Sequence, residues 1–158
     1  MSNGGEYRFS LTSTPNSEDK RILHEYVMAF NDAVSVHHRN TRGHEVHELA
    51  AFIHDSNGML VGGLVAQTYW GWLYIDDLWV HERLRERSFG RELMRKVEIQ
   101  ARREGCQKAY LKTFDFQARG FYEKLGYRVV GQLDDYPPGQ IFYWMRKDFR
   151  DDNLITQE

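Results

Sequence analysis

Apolar and polar residues alternate through "EYRFSLTST" (6–14), which predicts a strand ending at Pro15. Ile22, Leu23, Tyr26, Val27 and Phe30 then recur at helical spacing. Ser17 is placed to cap that helix, Glu18 and Asp19 suit its positive end, and it should run to about residue 34. The polar, irregular "HHRNTRGHE" reads as a connection. "VHELAAFIH" and "MLVGGLVAQTYW" read as a hairpin across Asp55-Ser56-Asn57-Gly58, and "WLYIDDLWV" as the next strand. From Ser88 onward, Phe89, Leu93, Met94, Val97 and Ala101 mark one helical face, closed by Gly105. "KAYLKTF" predicts a strand and "QARGFYEKL" a short helix stopped by Gly126. "YRVVGQL" and "IFYWMRK" form a last strand pair around "DDYPPGQ". The order is β, α, three β, α, β, α, two β, with no repeat and no linker.

Composition narrows the class. The 158 residues suggest one domain, able to bury roughly two-thirds of its unfolded surface. With 41% hydrophobic residues, 14% aromatic and a net charge of −2, the chain is neither disordered nor a general nucleic-acid binder, so any anion site must be local. No apolar run approaches the roughly 18 residues of a membrane span, and "MSNGGEYRFS" lacks the regions of a signal peptide. A cytoplasmic protein without membrane or nucleic-acid partners is expected. The single cysteine, Cys106, permits no internal disulfide, and no His/Cys cluster has zinc spacing. His37 and His38 are adjacent, about 100° apart on a helix, so no metal is expected either. The absence of an early Gly-x-Gly-x-x-Gly and of a Walker lysine motif removes NAD and ATP.

The positive charge is local. "HERLRERSFGREL" places Arg83, Arg85, Arg87 and Arg91 where a strand hands over to a helix. A helix N-terminus exposes about four unpaired backbone N–H groups and a partial positive charge, and the arginines and Gly90 would let a diphosphate approach closely. The alternative is a solvated turn salt-bridged through Glu82, Glu86 and Glu92.

This stretch resembles the acetyl-coenzyme A signature of the GNAT N-acetyltransferase superfamily, Arg/Gln-x-x-Gly-x-Gly/Ala. Arg85 fills its first position and Gly90 its last, while Ser88 replaces the middle glycine. If the turn needs φ > 0 at Ser88, the replacement weakens binding; if not, serine can cap the helix. "IDDLWV" is similar to the family's fourth strand and "QARGFYEKLGYRVVG" to its fourth helix and sixth strand, so the resemblance covers nearly the whole chain. "FQARGFYEKLGY" and "DYPPG" are similar to a bacterial subgroup of largely unassigned substrate, in which histidine often stands at the position of Gln140. The implied fold is α/β, with a central mixed, mostly antiparallel sheet of about seven strands and helices on both faces, the whole chain forming a single domain.

The resemblance also implies the chemistry. An acetyl group would pass from acetyl-coenzyme A to a primary amine of a small molecule or peptide by direct attack on the thioester, without a metal; a homodimer is left open. The coenzyme would lie against Leu78, Trp79 and Val80 on a splayed strand and against the turn Arg85, Glu86, Arg87, Ser88, Phe89, Gly90 and Arg91. Asp115, Ala118, Phe121 and Lys124 would complete that site, with Asp115 in place of a common asparagine. Tyr122 occupies the position of the family's thiolate-protonating tyrosine, although Ala118, Phe121, Tyr122 and Leu125 also form a stripe that periodicity alone assigns to the core. Asp76 and Asp77 interrupt an apolar strand, and alternation puts them on opposite faces. Asp76 is the candidate base, a partly desolvated carboxylate; the bland reading is that both cap loops or pair with arginines. Asp77, Trp72 and Tyr136 are candidates for the acceptor pocket, with Tyr69, Trp70 and Trp79 as further aromatics. A non-catalytic acyl-coenzyme A-binding module and a basic-turn interaction protein are the rival functions.

Overall fold

The computed structural model describes residues 7–41 and 46–149. It divides into two units, Met1–Gly43 and His44–Glu158. The first holds α1 (Ser17–Val34) and α2 (Val36–Thr41). Asn16, not Ser17, is the N-cap, its side-chain oxygen accepting from the Glu18 N–H at 2.8 Å. Part of the expected connection is helical, because the Ser35 hydroxyl accepts from the His38 N–H at 3.1 Å and starts α2; residues 42–45 lie outside the described residues. The expected first strand is not formed over residues 7–14, and Glu6 lies outside the description. Tyr7, Phe9 and Leu11 alternate as read, but alternation makes a strand only where a ladder partner accepts it, and all three are exposed.

The second unit holds a six-stranded sheet in the order β1-β2-β3-β4-β6-β5, so among the described residues the strand count is one below expectation. The strands are β1 (His47–His54), β2 (Leu60–Tyr69), β3 (Trp72–Val80), β4 (Lys108–Phe114), β5 (Arg128–Asp134) and β6 (Ile141–Asp148). All neighbours are antiparallel except β3 and β4. The crossover between those two carries α3 (Phe89–Arg103), and α4 (Arg119–Lys124) follows β4.

Leu64, Ala66, Leu73, Ile75, Ala109, Leu111 and Met145 point to one side of the sheet, where Leu93, Met94, Val97 and Ala101 of α3 close the core. Tyr122 of α4 and Tyr127 belong to the same cluster. A part-buried polar junction fastens this side: Tyr127 donates to Glu98 at 3.0 Å and Lys147 pairs with the other Glu98 oxygen at 2.5 Å. The intervening side-chain positions line the opposite side, open within this unit: Trp72, Tyr74, Lys108, Tyr110 and Lys112 among them.

Candidate active site

Two features of β3 and β4 set the site. Their parallel pairing runs only from Trp72–Lys108 to Ile75–Leu111, and beyond it the strands part. In the β2–β3 ladder Ala66 faces Ile75 while Val65 faces Asp77, so Asp76 is an extra residue in a β-bulge. The expected splay is present, the bulge lies just before the Leu78–Val80 stretch, and from Asp76 to Val80 the edge of β3 that faced β4 has no partner strand among the described residues.

The bulge changes where the two aspartates go. Asp76 continues the Trp72, Tyr74 series on the open side; Asp77, pairing with Val65, falls there too, while Leu78 returns to the core opposite Leu64. The expectation of opposite faces is thus corrected, the cause being the extra residue. Both carboxylates are exposed, so the expected desolvation of Asp76 is absent. Leu78 and Val80 pack their side chains on the core, leaving backbone to the opening, and Trp79 projects to the open side, 49% exposed.

The strand ends in a 3₁₀ turn, Glu82–Leu84, followed by the arginine-rich stretch. Glu86 has φ 62° and Ser88 φ 64°, both left-handed, with Arg87 between them. Alternating backbone of this kind turns successive N–H groups toward one point and makes an anion-binding concavity. Ser88 is the N-cap of α3, yet its hydroxyl makes no capping bond. Ser88 thus already holds the conformation that the signature's middle glycine would supply, with its backbone N–H in place, so the cost of the replacement falls on the turn's stability rather than on its N–H groups, and the alternative of a serine side-chain cap is set aside.

The salt-bridged reading of this turn also fails. Glu92 pairs with Arg95 and Lys96, Arg83 pairs with Asp55 of the β1–β2 hairpin, and no carboxylate pairs with Arg85, Arg87 or Arg91 among the described residues. The Arg85 Nε–H reaches back to the Val80 carbonyl at 3.4 Å. Gly90 has a packing reason: a Cβ there would stand 3.3 Å from the Phe121 ring tip and 3.8 Å from Val80. Its missing side chain therefore lets α3 close on α4 and β3. Phe89 is half-buried beside it and Arg91 exposed.

Ala118, the N-cap of α4, and Phe121 within it pack against the core, and Phe121 meets Tyr122 edge-on at 5.2 Å. Tyr122 is 8% exposed, and burial pushes its hydroxyl up to about 12. Its ring is core, as periodicity alone assigns it, and its hydroxyl bonds to no described protein group. Lys124 ends the helix, exposed. Asp115, at the end of β4, folds its carboxylate onto the Phe116 N–H at 2.9 Å.

The acceptor candidates separate. Trp72 lies four residues before Asp76, about 13 Å along the strand. Its ring is covered by the chain's own cations, Lys108 at 5.3 Å and Arg146 at 5.5 Å, so it does not join Asp76. Tyr69 stacks on Trp70 at 4.6 Å, at the same far end. Tyr136 is 56% exposed in the β5–β6 hairpin, edge-on to Phe142 at 5.6 Å. Three residues the sequence reading missed stand next to Asp76: Tyr74 and Tyr110, stacked at 4.8 Å, and Lys112, 5.1 Å above the Tyr74 ring. Aligning "WLYI" with "KAYL" as parallel partners would have found them. No group of three or more His, Cys, Asp or Glu able to hold a metal occurs among the described residues, and no helix there is long and apolar enough to cross a membrane.

The family model "Acetyltransferase (GNAT) family" matches residues 15–127, more than two-thirds of the chain. The chain belongs to the GNAT acetyltransferase family. The acetyltransferase is 43% identical to Blasticidin-S acetyltransferase of Streptomyces morookaense over 100 residues, 63% of this chain and 74% of that one. It is 29% identical to acetyltransferase Atu2258 of Agrobacterium fabrum over 141 residues, 89% and 98% of the two chains. A crystal structure of an acetyltransferase from Bacillus cereus superposes with a TM-score of 0.75 at 26% identity, covering 89% of this chain and 98% of the other. The acetyltransferase thus shares the fold of that crystal structure.

Proposed function

We propose that this acetyltransferase moves an acetyl group from acetyl-coenzyme A to a primary amine of a small molecule by direct attack, the whole chain acting as one domain in the cytoplasm. The observation that carries the reading is the parting of β3 and β4 beside an αL-rich turn whose Arg85, Arg87 and Arg91 pair with no carboxylate among the described residues. A diphosphate fits the N–H concavity of Glu86 to Gly90 with Arg85, Arg87 and Arg91 around it, and the pantetheine arm fits the unpaired edge of β3 at Leu78, Trp79 and Val80. Phe89, Asp115, Ala118, Phe121 and Lys124 would border the coenzyme. The relative named for Blasticidin-S supports a small-molecule acceptor.

In the reaction the amine nitrogen bonds to the thioester carbon, the C–S bond breaks, and the sulfur leaves as thiolate. Asp76 accepts the amine's proton, directly or through water, and Asp77 on the same side helps hold the cation. Tyr122 gives its proton to the thiolate. A hydroxyl raised to about 12 stays protonated at neutral pH, and a thiolate in the same poorly solvated place is raised as well, so donor and acceptor shift together.

Thiol release from acetyl-coenzyme A with a panel of amines tests the reading, on the wild type and on Tyr122→Phe. The variant should stay folded, bind coenzyme A and lose roughly 10²-fold in turnover. Coenzyme binding with no turnover on any amine would leave only the non-catalytic binding module, and absence of coenzyme binding would remove the cradle.

A further inference from the structure

The last hydrogen-bonded pair of the parallel ladder is Ile75–Leu111, so the next residue on each strand, Asp76 and Lys112, flanks the apex of the opening. Both lie on the open side, both are exposed, and they carry opposite charges. The contrast extends across the sheet. Glu48, Asp76 and Asp77 lie on the β1 to β3 half of this side, whereas Lys108, Lys112, Arg128 and Arg146 lie on the β4, β6 and β5 half. Most of the cations are engaged: Asp148 pairs with Arg128 and Arg146, and Lys108 covers Trp72. Lys112 makes no salt bridge among the described residues: it lies over the Tyr74 ring and bonds to its hydroxyl, and the nearby Asp76 carboxylate, which an incoming ammonium would engage, is the negative charge that attracts it. A cation held at the mouth of an amine site repels an incoming ammonium unless the same molecule brings an anionic group to meet it.

We infer that the acceptor is zwitterionic, its amine directed to Asp76 at the parting of β3 and β4 and a carboxylate or similar anion lying against Lys112. This rests on the amine-acceptor reading above. The stacked rings of Tyr74 and Tyr110 floor the space between the two charges, and the Tyr74 contact holds the flexible lysine in place. A carboxamide of the same shape would present no charge to Lys112 and would leave the lysine's repulsion unanswered.

The experiment is acetyl transfer with amines bearing a carboxylate two to six carbons away, each compared with its carboxamide. The wild type should favour the carboxylate by tenfold or more in kcat/KM for the best-fitting length. Lys112→Gln should bring that ratio near one, Lys112→Arg should restore much of it, and Lys108→Gln, at the far end of the strand, should leave it as in the wild type. Equal rates for carboxylate and carboxamide, or a preference that survives Lys112→Gln, would overturn the inference while leaving amine acetylation intact. Failure to acetylate any amine would instead overturn the amine-acceptor reading, and this inference with it.

Discussion

Replacing Ser88 by glycine tests the turn at its most unusual point. Ser88 sits at φ 64°, ψ 1° with no side-chain capping bond to offset the strain. A non-glycine residue held left-handed costs roughly 1 kcal/mol, whereas glycine adopts that region freely and loses about 0.5 kcal/mol more backbone entropy on folding. The net expectation for Ser88→Gly is stabilisation by about 0.5 kcal/mol, or a rise of roughly 1–2 °C in Tm for a chain of this size. Because every N–H of the concavity is kept, coenzyme A affinity by calorimetry should stay within about twofold, or about 0.4 kcal/mol. Ser88→Val goes the other way: a β-branched residue is poorly tolerated there, so Tm should fall and coenzyme affinity drop by about tenfold or more. Thermal unfolding and calorimetry on the two variants decide the matter. A glycine variant less stable than the wild type, or a valine variant indistinguishable from it, would show that the left-handed turn does not govern this site.

Three further outcomes follow from the packing. Gly90→Val should destabilise by about 1–3 kcal/mol through collision with Phe121, and Phe121→Leu should recover part of that loss in the double variant, as read by urea denaturation; simple additivity would refute the contact. Lys147→Met should cost about 2 kcal/mol by leaving Glu98 without its cation, and adding Glu98→Gln should cost less than the sum of the single changes. The Tyr122 hydroxyl lies at about 12 against an ordinary 10, raised by burial of the neutral form. Its stabilising effect is therefore complete below pH 10 and lost as pH climbs toward 12, by up to about 2.7 kcal/mol. Tyr122→Phe should flatten the decline in urea stability between pH 9 and pH 11.5, and an unchanged slope would assign the alkaline loss to other groups.

Much of the sheet was legible because its strands are long, alternate cleanly and end at turn residues such as Asn57-Gly58 and Gly126. The glycine-and-arginine turn stood out by its residue types, but these left a solvated, salt-bridged turn equally open, and only the resemblance favoured an anion site. What escaped depends on partners distant in sequence. The segment 7–14 has the right alternation, but a strand exists only where another strand receives it. The bulge at Asp76 leaves no mark in hydropathy, since residues before and after it each alternate normally and only the register with β2 reveals the change of phase. Lys112 and Tyr110 looked like unremarkable positions of a strand until the parallel pairing brought them beside Tyr74 and Asp76.

That register makes Asp76 surplus to the sheet. Joining Ile75 directly to Asp77 would give Ala66–Ile75 and Val65–Asp77 as successive regular pairs, with Leu78 and Val80 still in the core and Asp77 and Trp79 still on the open side. A chain one residue shorter at this point would therefore fold on the same pattern, with a continuous ladder. The residue that the β2–β3 register can lose is also the one that carries a carboxylate to the apex of the opening, so at this position the requirements of folding and of chemistry can be pulled apart by a single deletion.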